Sequence, residues 1–195
     1  PMKDIVKAWN NALTFLYDRI DYERKDTPQR VKSFKLNRMH ELMRRLGNPQ
    51  QHLRIIHIAG TKGKGSTAHM IASVLQAAGL QCGLYTSPHL ETLEERFVID
   101  GMACQPAELI ELVDLVRPAV EEMDQLAKTT GQHIGRPTFF EITTAIAFLF
   151  FHQQEVDLAV VEVGLGGRLD STNVCQPCVS VITSISYDHV HLLGD

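Results

Sequence analysis

The sequence predicts an α/β fold, a mostly parallel sheet with helices on both faces. Three observations carry that expectation. Short apolar runs alternate along the chain with segments of helical period, the order that produces a parallel sheet. The runs "DLAVVEV" (157–163) and "VSVITSI" (179–185) are largely apolar and read as strands buried on both faces. A third run, "LRIIHIAG" (53–60), passes straight into a glycine-rich corner and then a helix-like segment. In such sheets ligands bind at the carboxyl ends of the strands, so several scattered motifs are expected to share one crevice.

The elements follow in order. Ile5, Ala8, Trp9, Ala12, Leu13, Leu16 and Tyr17 fall at helical spacing and predict an amphipathic helix over 3–19. The polar stretch "DYERKDTPQR" reads as a loop, and a second helix over 35–46 ends at Gly47-Asn48-Pro49. After the first strand, residues 67–78 give a helix closed by Gly79. "QCGLY" (81–85) and "RFVID" (96–100) read as strands. Pro106 opens a helix reaching Lys128, and Pro118 inside it is expected to kink or divide it. "TFFEITTAIAFLFFHQQ" is helical and apolar nearly all round, hence sandwiched.

Composition narrows the function classes. The chain has 195 residues, 44% apolar and 22% charged, with a net charge of −4. That balance gives no general attraction to nucleic acid or membrane. The basic residues between Arg24 and Arg45 read as a solvated helix face and loop. No run approaches the ~20 apolar residues of a membrane helix. The opening "PMKDIVKAWN" lacks the apolar stretch of a secretory signal, so a cytoplasmic protein is expected. Cys175 and Cys178 form one Cys-x-x-Cys without the second pair that a zinc site needs, and read as core residues.

The stretch "HIAGTKGKGSTAHM" (57–70) carries the chemistry. Gly60, Gly63 and Gly65 let the backbone turn and approach a ligand closely. The following helix presents unpaired N–H groups and the positive end of its dipole, and Lys64 adds a cation. This is a phosphate cradle. The match to G-x-x-x-x-G-K-[ST] is incomplete, because Ile58 stands at the first glycine and Gly65 at the hydroxyl position. Ser66 and Thr67 are alternative hydroxyls. A magnesium ion accompanying the phosphates must then find oxygen ligands elsewhere. Ser87 in "YTSPHL" and Glu162 at the end of "DLAVVEV" are the candidates, both at strand ends. A carboxylate so placed either meets a cation or caps the amides of "GLGG".

Five blocks, "GTKGKGS", "LYTSPHL", "ERFVIDG", "VVEVGLGGRLDSTN" and "SYDHVHLLGD", occur in an order and spacing that resemble folylpolyglutamate synthase and dihydrofolate synthase. These are folate-pathway members of the Mur ligase superfamily, and the resemblance covers roughly residues 35–195. It implies a P-loop-containing, Mur-ligase-like ATPase domain and an ATP-dependent ligase. Such an enzyme adds L-glutamate to a folate or dihydropteroate carboxylate through an acyl phosphate. It implies further that Thr61, Lys62, Gly63, Lys64, Gly65 and Ser66 hold ATP phosphates, with Lys64 on the β- and γ-phosphates. Ser87, Glu162 and His189 match magnesium ligands, and Lys64, Glu162 and His189 are the catalytic set. A second divalent or monovalent cation is also possible. On the pterin side the matching stretches are Thr138, Phe139, Phe140 and Glu141, and Leu169, Asp170 and Ser171. An aromatic there stacks on a flat pterin, and Asp170 pairs with its amino-pyrimidine edge. One of Phe139 and Phe140 is expected to be helix core. A loop at 33–35 closes over the substrate.

Two departures qualify the resemblance. Lys62 stands where members of the family commonly carry Asn, and the chain is about half the family's length. The expectation is therefore an N-terminal part of the ATP-binding domain over 1–195, with 1–50 a helical lead-in. A lysine-bearing second-metal segment and the C-terminal domain would be absent, and the piece would be inactive alone and monomeric when complete. The competing readings are a Mur-type ligase acting on a UDP-sugar peptide precursor and a non-catalytic nucleotide-binding module.

Overall fold

The computed structural model describes residues 2–21, 36–130 and 135–187. His189 and the 33–35 loop, both singled out above, lie outside the described residues. Six strands form one mixed sheet in the order β4-β3-β2-β5-β1-β6. They are β1 (Ile55–Ala59), β2 (Cys82–Tyr85), β3 (Phe97–Ile99), β4 (Met102–Ala103), β5 (Leu158–Glu162) and β6 (Val179–Ile182). β2, β5, β1 and β6 run parallel, and β3 and β4 add an antiparallel edge. β4 escapes the sequence reading because two exposed residues carry no periodicity.

Side chains alternate across the sheet, so each strand feeds two cores. On one face Ile56, Ile58, Leu84, Leu158 and Val160 pack under helix α3 (Lys64–Ala77). On the other, Ile55, Tyr85, Ala159 and Val161 join a larger core. It is built with α1 (Met2–Tyr17), α2 (Leu36–Arg45), α4 (Pro106–Thr130) and α5 (Phe139–Gln153). Because both faces of β1, β2 and β5 are covered, these strands show no polar alternation. β6 departs from the expectation of burial on both faces: it is the last strand of the sheet, with Val179 49% and Ile182 64% exposed. Gly83 of β2 sits where a Cβ would lie 2.7 Å from the Phe151 ring, so the bare backbone lets α5 approach the sheet.

Two helices have bounds other than the sequence suggests. α4 runs as one helix through Pro118 rather than dividing there. Leu112, Val113, Val116 and Val120 anchor both halves of it in the core, while Pro118 lies on the exposed side, where the carbonyl that proline leaves unpaired need not be buried. α3 begins at Lys64, three residues earlier than the periodicity indicated, which places Gly65 and Ser66 in its first turn. No helix among the described residues is long and apolar enough to cross a membrane.

Candidate active site

β1, β5 and β2 are neighbours and parallel, so their carboxyl ends emerge side by side with β5 in the middle. The phosphate-loop stretch follows β1, Glu162 closes β5, and Ser87 follows β2. Three motifs far apart in the chain are thereby brought together at the carboxyl ends of the strands.

The glycine corner is shaped by backbone that only glycine tolerates. Gly60 has φ 136°, and a Cβ there would lie 2.0 Å from Thr183 Oγ1. Gly63 has φ 82° and stands at the N-cap of α3 without offering a side-chain cap. The first amides of α3 are therefore left for a ligand, and the helix dipole favours an anion. The segment after β6 holds the corner in place. Thr61 N–H donates to the Ser184 carbonyl at 2.7 Å. The Thr61 hydroxyl donates to the Ser186 carbonyl and accepts from the Ser186 amide, both at 3.0 Å. The Thr183 hydroxyl donates to the Lys62 carbonyl at 2.8 Å. Both the amide and the hydroxyl of Thr61 are thus engaged by the segment after β6, whereas Lys62 and Ser66 are exposed and Lys64 is half-buried.

Glu162 is 5% exposed, and its Oε2 accepts from Ser87 N–H at 3.1 Å. Its two carboxylate oxygens lie 3.6 and 3.7 Å from the point a Gly65 Cβ would occupy. The carboxylate therefore lies against the first turn of α3, at the position where the P-loop pattern carries its hydroxyl residue. The Ser87 hydroxyl and the Glu162 carboxylate are hard oxygen donors, which suits magnesium. His189, the third match, is outside the described residues. Among those residues no cluster of three His, Cys, Asp or Glu forms a separate metal site.

The chain continues from Glu162 through Gly164 into the loop that ends at Ser171. Gly164 lies under Phe140, since a Cβ there would meet the ring at 2.4 Å. Phe140 is half-buried and tilted against Tyr85, with ring centroids 6.2 Å apart. Phe139 is wholly buried and stacks on Tyr17 at 5.4 Å, which makes it the core member of the pair. Thr138 and Glu141 form a capping box at the start of α5. Glu141 also receives Arg38 Nε of α2 on both oxygens, at 2.9 and 2.7 Å. Leu169 is exposed, Ser171 half-buried and Asp170 buried. Both Asp170 oxygens serve the loop itself, accepting from the amides of Thr172 at 2.9 Å and Leu165 at 2.8 Å. Burial pushes the Asp170 carboxyl above its usual range, against the opposing pull of these donors.

The sequence reading left out three residues that hold the site. Arg96 is 1% exposed, donates from Nε to His89 Nδ1 at 2.8 Å and lies 5.2 Å from the centre of the Phe139 ring, tying the "SPHL" loop to α5. His57 and Thr172 are hydrogen-bonded to each other beneath the 163–171 loop. The available signal for His57 was a polar residue inside an apolar strand. In the Cys-x-x-Cys, burial pushes the Cys175 thiol up to about 11. Cys178, expected in the core, is instead exposed just before β6 and donates to the Ile55 carbonyl at 3.2 Å.

No family model matches the chain, but curated proteins and solved structures do. It is 42% identical over 189 residues to the dihydrofolate synthase/folylpolyglutamate synthase of Bacillus subtilis, covering 96% of this chain and 41% of that protein. It is 46% identical over 167 residues to the folylpolyglutamate synthase of Lacticaseibacillus casei, covering 86% of this chain and 38% of the relative. The Mycobacterium tuberculosis folylpolyglutamate synthase complexed with ADP and AMPPCP superposes with a TM-score of 0.84 at 38% identity, over 98% of this chain and 39% of that one. An FPGS–AMPPCP–folate complex gives 0.81 at 41% identity, over 96% and 42% respectively. The chain thus spans about two-fifths of the length of the relatives it matches. With blocks, sheet order and strand-tip site in agreement, the chain belongs to the folylpolyglutamate synthase/dihydrofolate synthase family and corresponds to the N-terminal portion of its members.

Proposed function

We propose that this chain forms the phosphate-gripping and acceptor-facing part of an ATP-dependent ligase that joins L-glutamate to a folate or dihydropteroate carboxylate. The observation that carries the reading is Glu162, buried between the Ser87 amide and the first turn of α3 at the meeting of three strand tips. Relatives named for this activity, one of them solved with AMPPCP and folate, support it.

Each group then has a physical task. The open amides of α3 and the Lys64 ammonium neutralise the β- and γ-phosphates, with Lys62 adding charge at the loop's exposed edge. Ser87 and Glu162, with His189 by resemblance, would hold Mg²⁺, which supplies charge neutralisation across the phosphates when bound. Gly164 and Phe140 form an acceptor wall two residues beyond Glu162, so a flat pterin stacked there brings its carboxylate toward the γ-phosphate. Transfer of that phosphoryl group makes an acyl phosphate, which the glutamate amine converts to the amide with release of phosphate. Little covalent chemistry falls to the protein, so positioning and charge neutralisation dominate.

The test is titration of the chain with dihydropteroate in the presence of Mg-AMPPCP, beside a UDP-sugar peptide. Saturable binding of dihydropteroate that Phe140→Ala weakens at least tenfold supports the reading. Preference for the UDP-sugar peptide, or binding indifferent to Phe140, overturns it.

A further inference from the structure

Below the 163–171 loop a chain of hydrogen bonds runs from its surface to the middle of the sheet. Asp170 Oδ1 accepts the Thr172 amide at 2.9 Å and lies 2.5 Å from the Thr172 hydroxyl. That hydroxyl lies 2.7 Å from His57 Nε2. All three side chains are buried, Thr172 completely. His57 is the central residue of β1, flanked by Ile56 and Ile58 and in register with Val161 of β5 and Ser180 of β6. A polar ring there is costly to bury unless its nitrogen finds a partner. Thr172 is that partner.

The donor directions follow from chemistry. Backbone amides can only donate, so a carboxyl group taking the Thr172 and Leu165 amides on its two oxygens is arranged as an acceptor. The Thr172 O–H then points to Asp170, and its oxygen is left to accept from His57. This requires a proton on Nε2, which the neutral Nε2–H tautomer supplies. Burial holds the His57 imidazole below its usual range, in keeping with that form.

We infer that His57 is a positioning residue for the acceptor loop. Fixed on the central strand, it aims the Thr172 hydroxyl, which aims Asp170, whose oxygens pin Leu165 and Thr172 and so seat Gly164 beneath Phe140. His57 also stands three residues before Gly60. One rigid strand therefore references both the phosphate corner and the acceptor wall, keeping the γ-phosphate and the acceptor carboxylate in register. The relay itself is a matter of the fold; its consequence for binding rests on the acceptor role proposed above.

Nitrogen-15 NMR of the imidazoles in the unsubstituted chain tests the donor directions. The Nε2–H tautomer of His57 is expected at pH 7; an Nδ1–H tautomer, with Nε2 bare, overturns the inference, whether or not any variant folds. Amide exchange in Thr172→Val tests the coupling. Leu165 is expected to exchange at least tenfold faster while Ser87, which donates to Glu162, keeps its rate, and Thr172→Ser is expected to restore Leu165. Unchanged exchange at Leu165 overturns the inference. The same variants are titrated with dihydropteroate and with Mg-AMPPCP. Weaker binding of the first alone is expected. Loosened Leu165 with unaltered dihydropteroate affinity would keep the relay and remove the acceptor reading of the loop.

Discussion

Two loops leave the same edge of the sheet from adjacent strands, and they are built by opposite means. The corner after β1 takes its shape from glycine backbone, Gly60 at φ 136° and Gly63 at φ 82°, and leaves Lys62 and Ser66 facing outward. The loop after β5 takes its shape from buried side chains, Asp170, Thr172 and His57, and leaves Leu169 exposed. The first is a cradle for a charged group of fixed geometry, which backbone amides fit well. The second offers a wall to a flat, mostly uncharged surface, and a wall must be held from behind. The difference teaches where each loop is vulnerable: the corner to an added Cβ, the wall to a lost hydrogen bond.

Substitutions that exchange these vulnerabilities sharpen the contrast. Gly60→Ala drives a Cβ to 2.0 Å from Thr183 Oγ1 in a strained backbone and is expected to cost about 2–4 kcal/mol in urea unfolding. Gly63→Ala, with open space but φ 82°, is expected to cost only about 1 kcal/mol. Next in size, Lys64→Ala is expected to weaken ATP binding about 10–100-fold in calorimetry, the loss of one or two charge-assisted bonds, and to leave unfolding within about 0.5 kcal/mol. Gly164→Ala meets a ring that can turn, so about 1–2 kcal/mol is expected by the same urea assay, together with weaker dihydropteroate binding. Gly167→Ala, with nothing within 4 Å, should change neither. The smallest signal comes from thiol labelling at pH 7. Cys178 is exposed and should react, while Cys175, buried behind the second loop with its thiol pushed up to about 11, should stay silent. Labelling of Cys175 in Thr172→Val would report that the wall had opened.

The same contrast explains what the sequence disclosed. Glycine with lysine at the head of a helix is a local signal, so the corner was legible residue by residue, as were β1 and β5 from their largely apolar runs; β6 was legible as a strand, but not its exposure. Glu162 was legible as an ill-placed carboxylate at a strand end. The wall was legible only through resemblance, because its supports are far apart in the chain. The His57–Thr172 bond spans 115 positions and the Arg38–Glu141 pair 103. No periodicity announces such pairs. The continuity of α4 through Pro118 was hidden for a related reason, since the core packing on either side outweighs the local preference of the residue.

Everything in the functional reading depends on the three strand tips acting on one metal-bound nucleotide. The direct measurement is AMPPCP affinity by calorimetry with and without Mg²⁺, in the unsubstituted chain and in Glu162→Gln. The account predicts that Mg²⁺ tightens binding at least tenfold in the first and has no such effect in the second. An equal response to Mg²⁺ in both proteins would contradict it.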